Sequence, residues 1–380
     1  MTKRSGPMAA LCSGAALMNA SMAVTSATGT LVAADRLGAG WGGVPSTAGI
    51  VGTGAGALVL TRLARRLGRR AGFLLGYAAA AAGACLAAAA VAAGDVAGLC
   101  AGMLLLGLGN AAAQLSRYAA ADLHPPGRRG FAIGLVVWSA AAGAVGGPLL
   151  LDPSGVLAGR AGLHPLTGPF LLAVLTCATA AAAVTGTPRG RTAAPAAPPL
   201  RRLIRTPAAR SALAVMATAQ VVMVAVMTAA PVDMHMHGDG LDMVGMTLSA
   251  HTLGMFALSP VTGRLFDRFG ARPVIVGGLA TLAASTGLAA VATGGLGRPV
   301  ALFLLGYGWN LCFVGGSGRL ARDLPEAERP HVEGAVDAAV WTLAAAASLL
   351  STVVLSAGGY GVLAWTSCAL ALLALAGRAR

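Results

Sequence analysis

The sequence predicts an all-α polytopic membrane protein with twelve transmembrane helices in two six-helix bundles, and three observations carry that expectation. Of 380 residues, 56% are hydrophobic and 11% charged, against roughly a quarter charged in soluble domains. Apolar runs recur at the length that crosses a bilayer core, about 20 residues per helix. The second half of the chain also repeats the first at offsets of 199 to 202 residues, so the copies relate as a parallel pseudo-two-fold repeat. Twelve crossings use up the length and leave no room for a large soluble domain.

Charged or Pro/Gly-rich breaks divide the first half into spans at 8–33, 43–62, 71–93, 96–119, 130–151 and 167–186. The first follows Lys3 and Arg4 and continues to about Val32 without a small-residue cleavage site, so it reads as an uncleaved span. The second half gives 210–232, 243–262, 273–293, 299–320, 333–355 and 359–376. Glycines at 52–56 and 102–109 suit close helix packing. Residues 187–209, rich in Pro and Arg, form a polar linker, so the expected domains are 1–186 and 210–380.

A formal charge of +14 in a soluble chain would point to nucleic acid, but its placement points to the bilayer instead. With the amino terminus inside, one side collects Arg62, Arg65, Arg66, Arg69, Arg70, Arg128, Arg129, the linker arginines, Arg264, Arg268, Arg272, Arg322 and Arg329. The other keeps Arg36, Arg160 and Arg298. That bias places both termini in the cytoplasm, in an inner-membrane protein with no nucleic-acid partner. The six cysteines fall in apolar stretches without pairing and read as packing residues.

The clearest repeat is Thr61-Arg-Leu-Ala-Arg-Arg-Leu-Gly-Arg-Arg70 against Gly263-Arg-Leu-Phe-Asp-Arg-Phe-Gly-Ala-Arg272, at an offset of 263 − 61 = 202. Asn110 and Asn310, Arg117 and Arg319, Asp122 and Asp323, and Gly134 and Gly334 continue it. The second loop resembles the G-x-L-x-D-R-x-G-R-R signature of the major facilitator superfamily, departing only at Ala271. In the first copy Thr61 replaces the glycine and Arg65 the acid. Gly143-Ala-Val-Gly-Gly147-Pro148 is similar to that family's antiporter motif, with Leu150 and Leu151 in place of its trailing glycines. The resemblance implies a monomeric secondary transporter that moves a small molecule by alternating access, with cargo held at the midplane between bundles. Proton-coupled export of an amphipathic metabolite or drug leads; uptake or facilitated diffusion is the alternative.

Gly263, Asp267, Arg268, Gly270 and Arg272 are the expected inner gate. Asp267 can accept from arginines or from a helix amino terminus such as the one near His331. Arg319 and Asp323 extend this toward Arg268, and Arg117 with Asp122 do the same in the first half. Snorkelling charges that fix helix depth are the competing reading.

Ionisable groups at membrane depth are costly and mark function by default. His251, mid-span, is either a proton carrier or a core histidine bonded to a neighbouring helix carbonyl. Asp337, one turn inside its span, is a proton carrier or a latch partner. Asn19, Gln220, Asn110, Gln114 and Asn310 lie on spans that line the cavity in the superfamily, so they are substrate contacts by resemblance or interhelical hydrogen bonds by chemistry. Trp138, Trp309 and Trp341 offer aromatic faces or packing. Asp233, His235, His237 and Asp239 crowd the loop after the seventh span as metal candidates, although no metal is expected. They also leave open a sensor that does not transport. No phosphate-binding loop, HExxH helix or Gly-x-Ser-x-Gly elbow occurs, so neither an enzyme nor a cofactor is expected.

Overall fold

The computed structural model describes residues 5–37, 41, 43–187, 205–236, 241–292, 295–326 and 328–379. Among them every regular element is helical. The order is α1 (Ser5–Leu37), α2 (Val44–Leu67), α3 (Arg69–Ala93), α4 (Val96–Asp122), α5 (Arg129–Leu149), α6 (Leu151–Arg160), α7 (Gly168–Val184), α8 (Pro207–Met236), α9 (Leu241–Phe256), α10 (Ser259–Phe269), α11 (Ala271–Val291), α12 (Gly297–Asp323) and α13 (Arg329–Ala379). Residues 188–204, most of the expected linker, lie outside the described residues.

Eleven segments are long and apolar enough to cross a membrane among the described residues, with α13 supplying two on either side of Ser351–Val353. The eighth expected span, 243–262, is two shorter helices, α9 and α10. Its break follows from Pro260, which has no N–H for the Phe256 carbonyl and whose ring crowds it. Asn310 donates to the Met255 carbonyl at 2.7 Å and to Ser259 Oγ at 2.5 Å, and accepts from Thr262 Oγ1 at 2.7 Å. The break is thus built in and hydrogen-bonded.

Two expected boundaries move outward. Apolar runs stop near Arg62 and Ala119, but α2 continues to Leu67 and α4 to Asp122, because arginines with long stems in α2 and alanines in α4 remain good helix formers past the hydrocarbon edge. Single glycines then turn the chain sharply. Gly68 (φ 94°) joins α2 to α3 and Gly270 (φ 83°) joins α10 to α11, backbone that a residue with a Cβ rarely adopts.

The chain forms two compact units. Unit 1 comprises Met1–Leu123, Ser139–Leu200 and Pro325–Trp341; unit 2 comprises His124–Trp138, Arg201–Leu324 and Thr342–Arg380. The beginning of α5 therefore packs with the second-half helices, and the beginning of α13 with the first-half helices. Each unit is built on close approach of small residues, as at Gly83, where an added Cβ would lie 2.6 Å from the Gly102 carbonyl.

Candidate functional site

Unit 2 holds the intact signature loop. Asp267, near the end of α10, accepts from the backbone N–H of Gly130 (Oδ1, 2.8 Å) and of Phe131 (Oδ2, 2.8 Å). These are first-turn donors of α5 with no partner inside that helix. A carboxylate there meets both the orphan donors and the positive end of the helix dipole. Burial pushes the Asp267 carboxyl up, against the two amides and His124, which hold it down.

Gly263 makes the approach possible, because a Cβ on it would overlap the Gly130 carbonyl. Arg129 donates to the Ala321 carbonyl at 2.8 Å, and Arg264 lies over the Phe131 ring at 4.6 Å. The helix that Asp267 caps is thus α5, not the one beginning near His331. Arg319 bonds Ser211 Oγ (2.7 Å) and Asp323 (3.4 Å), and Asp323 takes Arg322 at 2.9 Å. That pair turns toward α8 instead of extending to Arg268.

Unit 1 holds the degraded loop and a denser ionic cluster. Arg69, first residue of α3, meets Asp122 at 2.8 Å, and Arg329, first residue of α13, meets the same carboxylate at 2.9 Å. All three stand at helix ends where the dipole disfavours their charge, and pairing offsets that. Glu333, 1% exposed, lies 3.4 Å from Arg69. Arg65 Nη1 donates to His331 Nδ1 at 2.6 Å. Leu60, Phe73, Leu115 and Pro330 line a small cavity beside Arg69 and Glu333.

Deeper in the unit, Arg117 Nη2 meets Asp337 Oδ1 at 2.6 Å and Tyr118 Oη at 2.9 Å, while Tyr118 Oη lies 3.3 Å from the same carboxylate oxygen. Arg117 is 1% exposed and Asp337 2%. Arg117 also donates to the Gln114 carbonyl. The expected association of Arg117 with Asp122 is therefore replaced by two pairings: Arg117 takes Asp337, and Asp122 takes Arg69 and Arg329. Asp337 Oδ2 and Glu333 Oε1 are buried without a hydrogen-bond partner among the described residues. In the sequence Arg69 and Arg329 stand out only as arginines of the inner side, and Tyr118 and Glu333 are not site candidates. Glu333 and Arg329 sit at the predicted span edge, and the Arg117–Tyr118 step carries no periodic signal.

His251 is buried, with Nδ1 3.0 Å from the Leu302 carbonyl of α12. Asn110 donates to Thr53 Oγ1 at 3.1 Å, and Gln220 accepts from Trp309 Nε1 at 2.7 Å. Trp309 also stacks on Phe313 with centroids 4.5 Å apart. Asn19 donates to Ala15 in its own helix, and Gln114 is half-buried. Trp138 is exposed and Trp341 half-buried. In unit 1 a Cβ at Gly143 would overlap the Ala16 carbonyl, and one at Gly147 would lie 2.9 Å from the Ala20 carbonyl. These residues set the closeness of α5 to α1, and Pro148 lies inside the last turn of α5, next to its final residue Leu149.

Of the outer-loop candidates, Asp233 is committed to Arg298 at 2.5 Å, and Arg298 lies over the Tyr360 ring at 4.9 Å. His237 and Asp239 lie outside the described residues, as does the side chain of His235. No group of three metal-ligating side chains occurs among the described residues.

The family model described as Major Facilitator Superfamily matches residues 8–243. An uncharacterized MFS-type transporter of Bacillus subtilis (strain 168), YdeG, is 31% identical over 377 residues, 93% of this chain and 86% of the relative. The riboflavin transporter RfnT of Brucella anthropi is 34% identical over 170 residues, 44% of this chain and 42% of the relative. Among solved structures the proton:xylose symporter XylE superposes with a TM-score of 0.81 at 14% identity, covering 99% of this chain and 95% of that one. The human organic anion transporter MFSD10 superposes with a TM-score of 0.80 at 16% identity, covering 99% of each chain. Likeness at such identity is a likeness of fold. A family model over well over half the sequence, a relative matched nearly end to end and an ungapped signature loop around Asp267 make this chain a member of the major facilitator superfamily, a multi-pass transporter of small solutes.

Proposed function

We propose that the protein is a proton-coupled exporter of a small amphipathic metabolite or drug, working by alternating access in the inner membrane. The observation that carries the coupling is the Arg117–Asp337 pair, 2.6 Å apart and almost fully buried about 12 Å along α13 from its first residue. Removing two charges from water costs several kcal/mol per ion, which a structural core would avoid with apolar residues. Asp337 keeps one buried oxygen without a donor, where a proton can bind. Protonation removes the charge that Arg117 answers and so changes the free energy of the whole cluster. His251 we assign to packing, its imidazole being engaged with Leu302.

The direction rests on the antiporter-like Gly143, Gly147 and Pro148, and the cargo class on the likeness of 170 residues to a riboflavin transporter. We read 1–186 and 210–380 as the two repeat bundles, joined by the linker 187–209, with both termini cytoplasmic. The arginine distribution supports that topology. We read the protein as a monomer and the aspartate–helix contact at Asp267 as its inner gate.

The test is internal pH in proteoliposomes as riboflavin and a panel of amphipathic drugs are added, with Asp337→Asn beside wild type. Cargo-dependent proton movement that the variant loses supports the reading. Cargo movement with no proton flux in wild type rejects coupling, and coupling unchanged in Asp337→Asn rejects the assignment.

A further inference from the structure

At the end of unit 2 that carries the signature loop, the starts of α8 and α11 and the ends of α12 and α13 surround an open cavity of about 420 Å³. Its polar wall holds Arg272, Arg319 and Arg322 with a single acid, Asp323. Three positive charges against one leave a lining charge of +2. Asp323 lies 3.4 Å from Arg319 Nε and 2.9 Å from Arg322 Nε, so one carboxylate is shared between two of the three guanidinium groups. Arg319 Nη1 donates to Ser211 Oγ at 2.7 Å.

The other wall is apolar: Ile275 and Val276 follow Arg272 on the next turn of α11, and Gly377 closes the cavity from α13. One turn before Gly377, Leu373 is 72% exposed, with Leu372 beside it at 50%. In a membrane protein such side chains face lipid tails. A basic recess at a helix-end rim, continuous with an apolar helix surface, matches a molecule with an anionic head and hydrocarbon tails. A soluble anion would use the arginines and leave the apolar wall without purpose.

We propose that this recess is a binding site for one anionic phospholipid, its phosphodiester on Arg272, Arg319 and Arg322 and its acyl chains along α11 and the end of α13. Arginine clusters between helices on the cytoplasmic side recognise such headgroups by charge and by their planar donor geometry. The site is separate from the Asp267 contact with α5 and from the ionic cluster of unit 1, and binding there is read without any transport.

Native mass spectrometry of the full chain, released from micelles containing phosphatidylglycerol or phosphatidylcholine, tests it. One phosphatidylglycerol is retained over phosphatidylcholine by wild type. Arg319→Gln with Arg322→Gln lowers that retention by roughly twenty-five-fold, from about fivefold per arginine. Asp323→Asn, which raises the lining charge, increases it and serves should the double variant misfold. The outer-side variant Arg160→Gln keeps it. Equal retention of both lipids, or retention indifferent to all three changes in the recess, overturns the site. Displacement of the lipid by inorganic phosphate overturns the lipid as occupant in favour of a free-anion site.

Discussion

The two repeated loops, 202 residues apart, occupy equivalent places in units 1 and 2 and solve the same problem with opposite chemistry. In unit 2 an aspartate sits on the amino terminus of α5, both oxygens filled by backbone donors at 2.8 Å. In unit 1 the equivalent position is Arg65, which cannot cap a helix amino terminus and reaches the imidazole of His331 in the first turn of α13 instead. Charge at the start of α13 is balanced by Asp122 and Glu333, which draw in Arg69 and Arg329. Losing one acid from a motif therefore does not leave a gap. It moves the stabilisation from helix dipole to ion pairs, and it makes unit 1 the place where titratable groups accumulate.

The sharpest way to break this comparison is Arg117→Ala. It leaves Asp337 as an uncompensated buried charge, which costs about 3–5 kcal/mol, read as thermal unfolding in detergent. Replacing both partners by leucine should recover most of that stability and abolish the proposed proton coupling. If the single variant unfolds like wild type, unit 1 does not depend on its ionic cluster.

Next comes the glycine that the first loop has lost. Thr61 takes the place of Gly263 and packs directly onto Gly334, whereas Gly263 faces Gly130 backbone to backbone. Each contact has one side small, but only the second has both. Gly263→Thr in the intact loop should cost about 1–3 kcal/mol by overpacking and break the Asp267 contact. Thr61→Gly should cost no more than about 1 kcal/mol, the helix propensity of glycine. Equal costs at the two sites would mean that the loops do not approach their helices in the way the distances state.

Much of this architecture was legible in sequence, for reasons that also mark where legibility ends. Span positions follow from hydropathy because lipid punishes any other pattern, and Gly68 and Gly270 announce their turns because little else tolerates that backbone. The break at Pro260 was present in the letters but was passed over, since apolarity continues through it and only the Asn310 hydrogen bonds show how it is satisfied. The partners of the acids were not legible. Arg117 and Asp337 are 220 residues apart, and Asp122 had nearer-looking arginines in the sequence than the two it takes. Asp267 was expected on a helix amino terminus and is on one, but choosing between α5 and α13 needs the exchange of helix starts that the two units display. His251 shows the converse case, a residue conspicuous by its chemistry whose geometry is that of an interhelical hydrogen bond.

The smallest expected effects separate a cap from a contact. Asp267→Ala strands two buried backbone donors at the start of α5, a loss of about 1–3 kcal/mol. Arg65→Ala removes one partly exposed hydrogen bond and relieves an unfavourable charge at the start of α13, so its net cost should stay below about 0.5 kcal/mol. Asp267→Asn discriminates further: the amide offers one acceptor oxygen in place of two and no charge, so it should fall between wild type and Ala. Thermal unfolding of the three variants in one detergent decides the matter. An Arg65→Ala cost equal to that of Asp267→Ala would show that unit 1 depends on the His331 contact for stability as unit 2 depends on its helix cap.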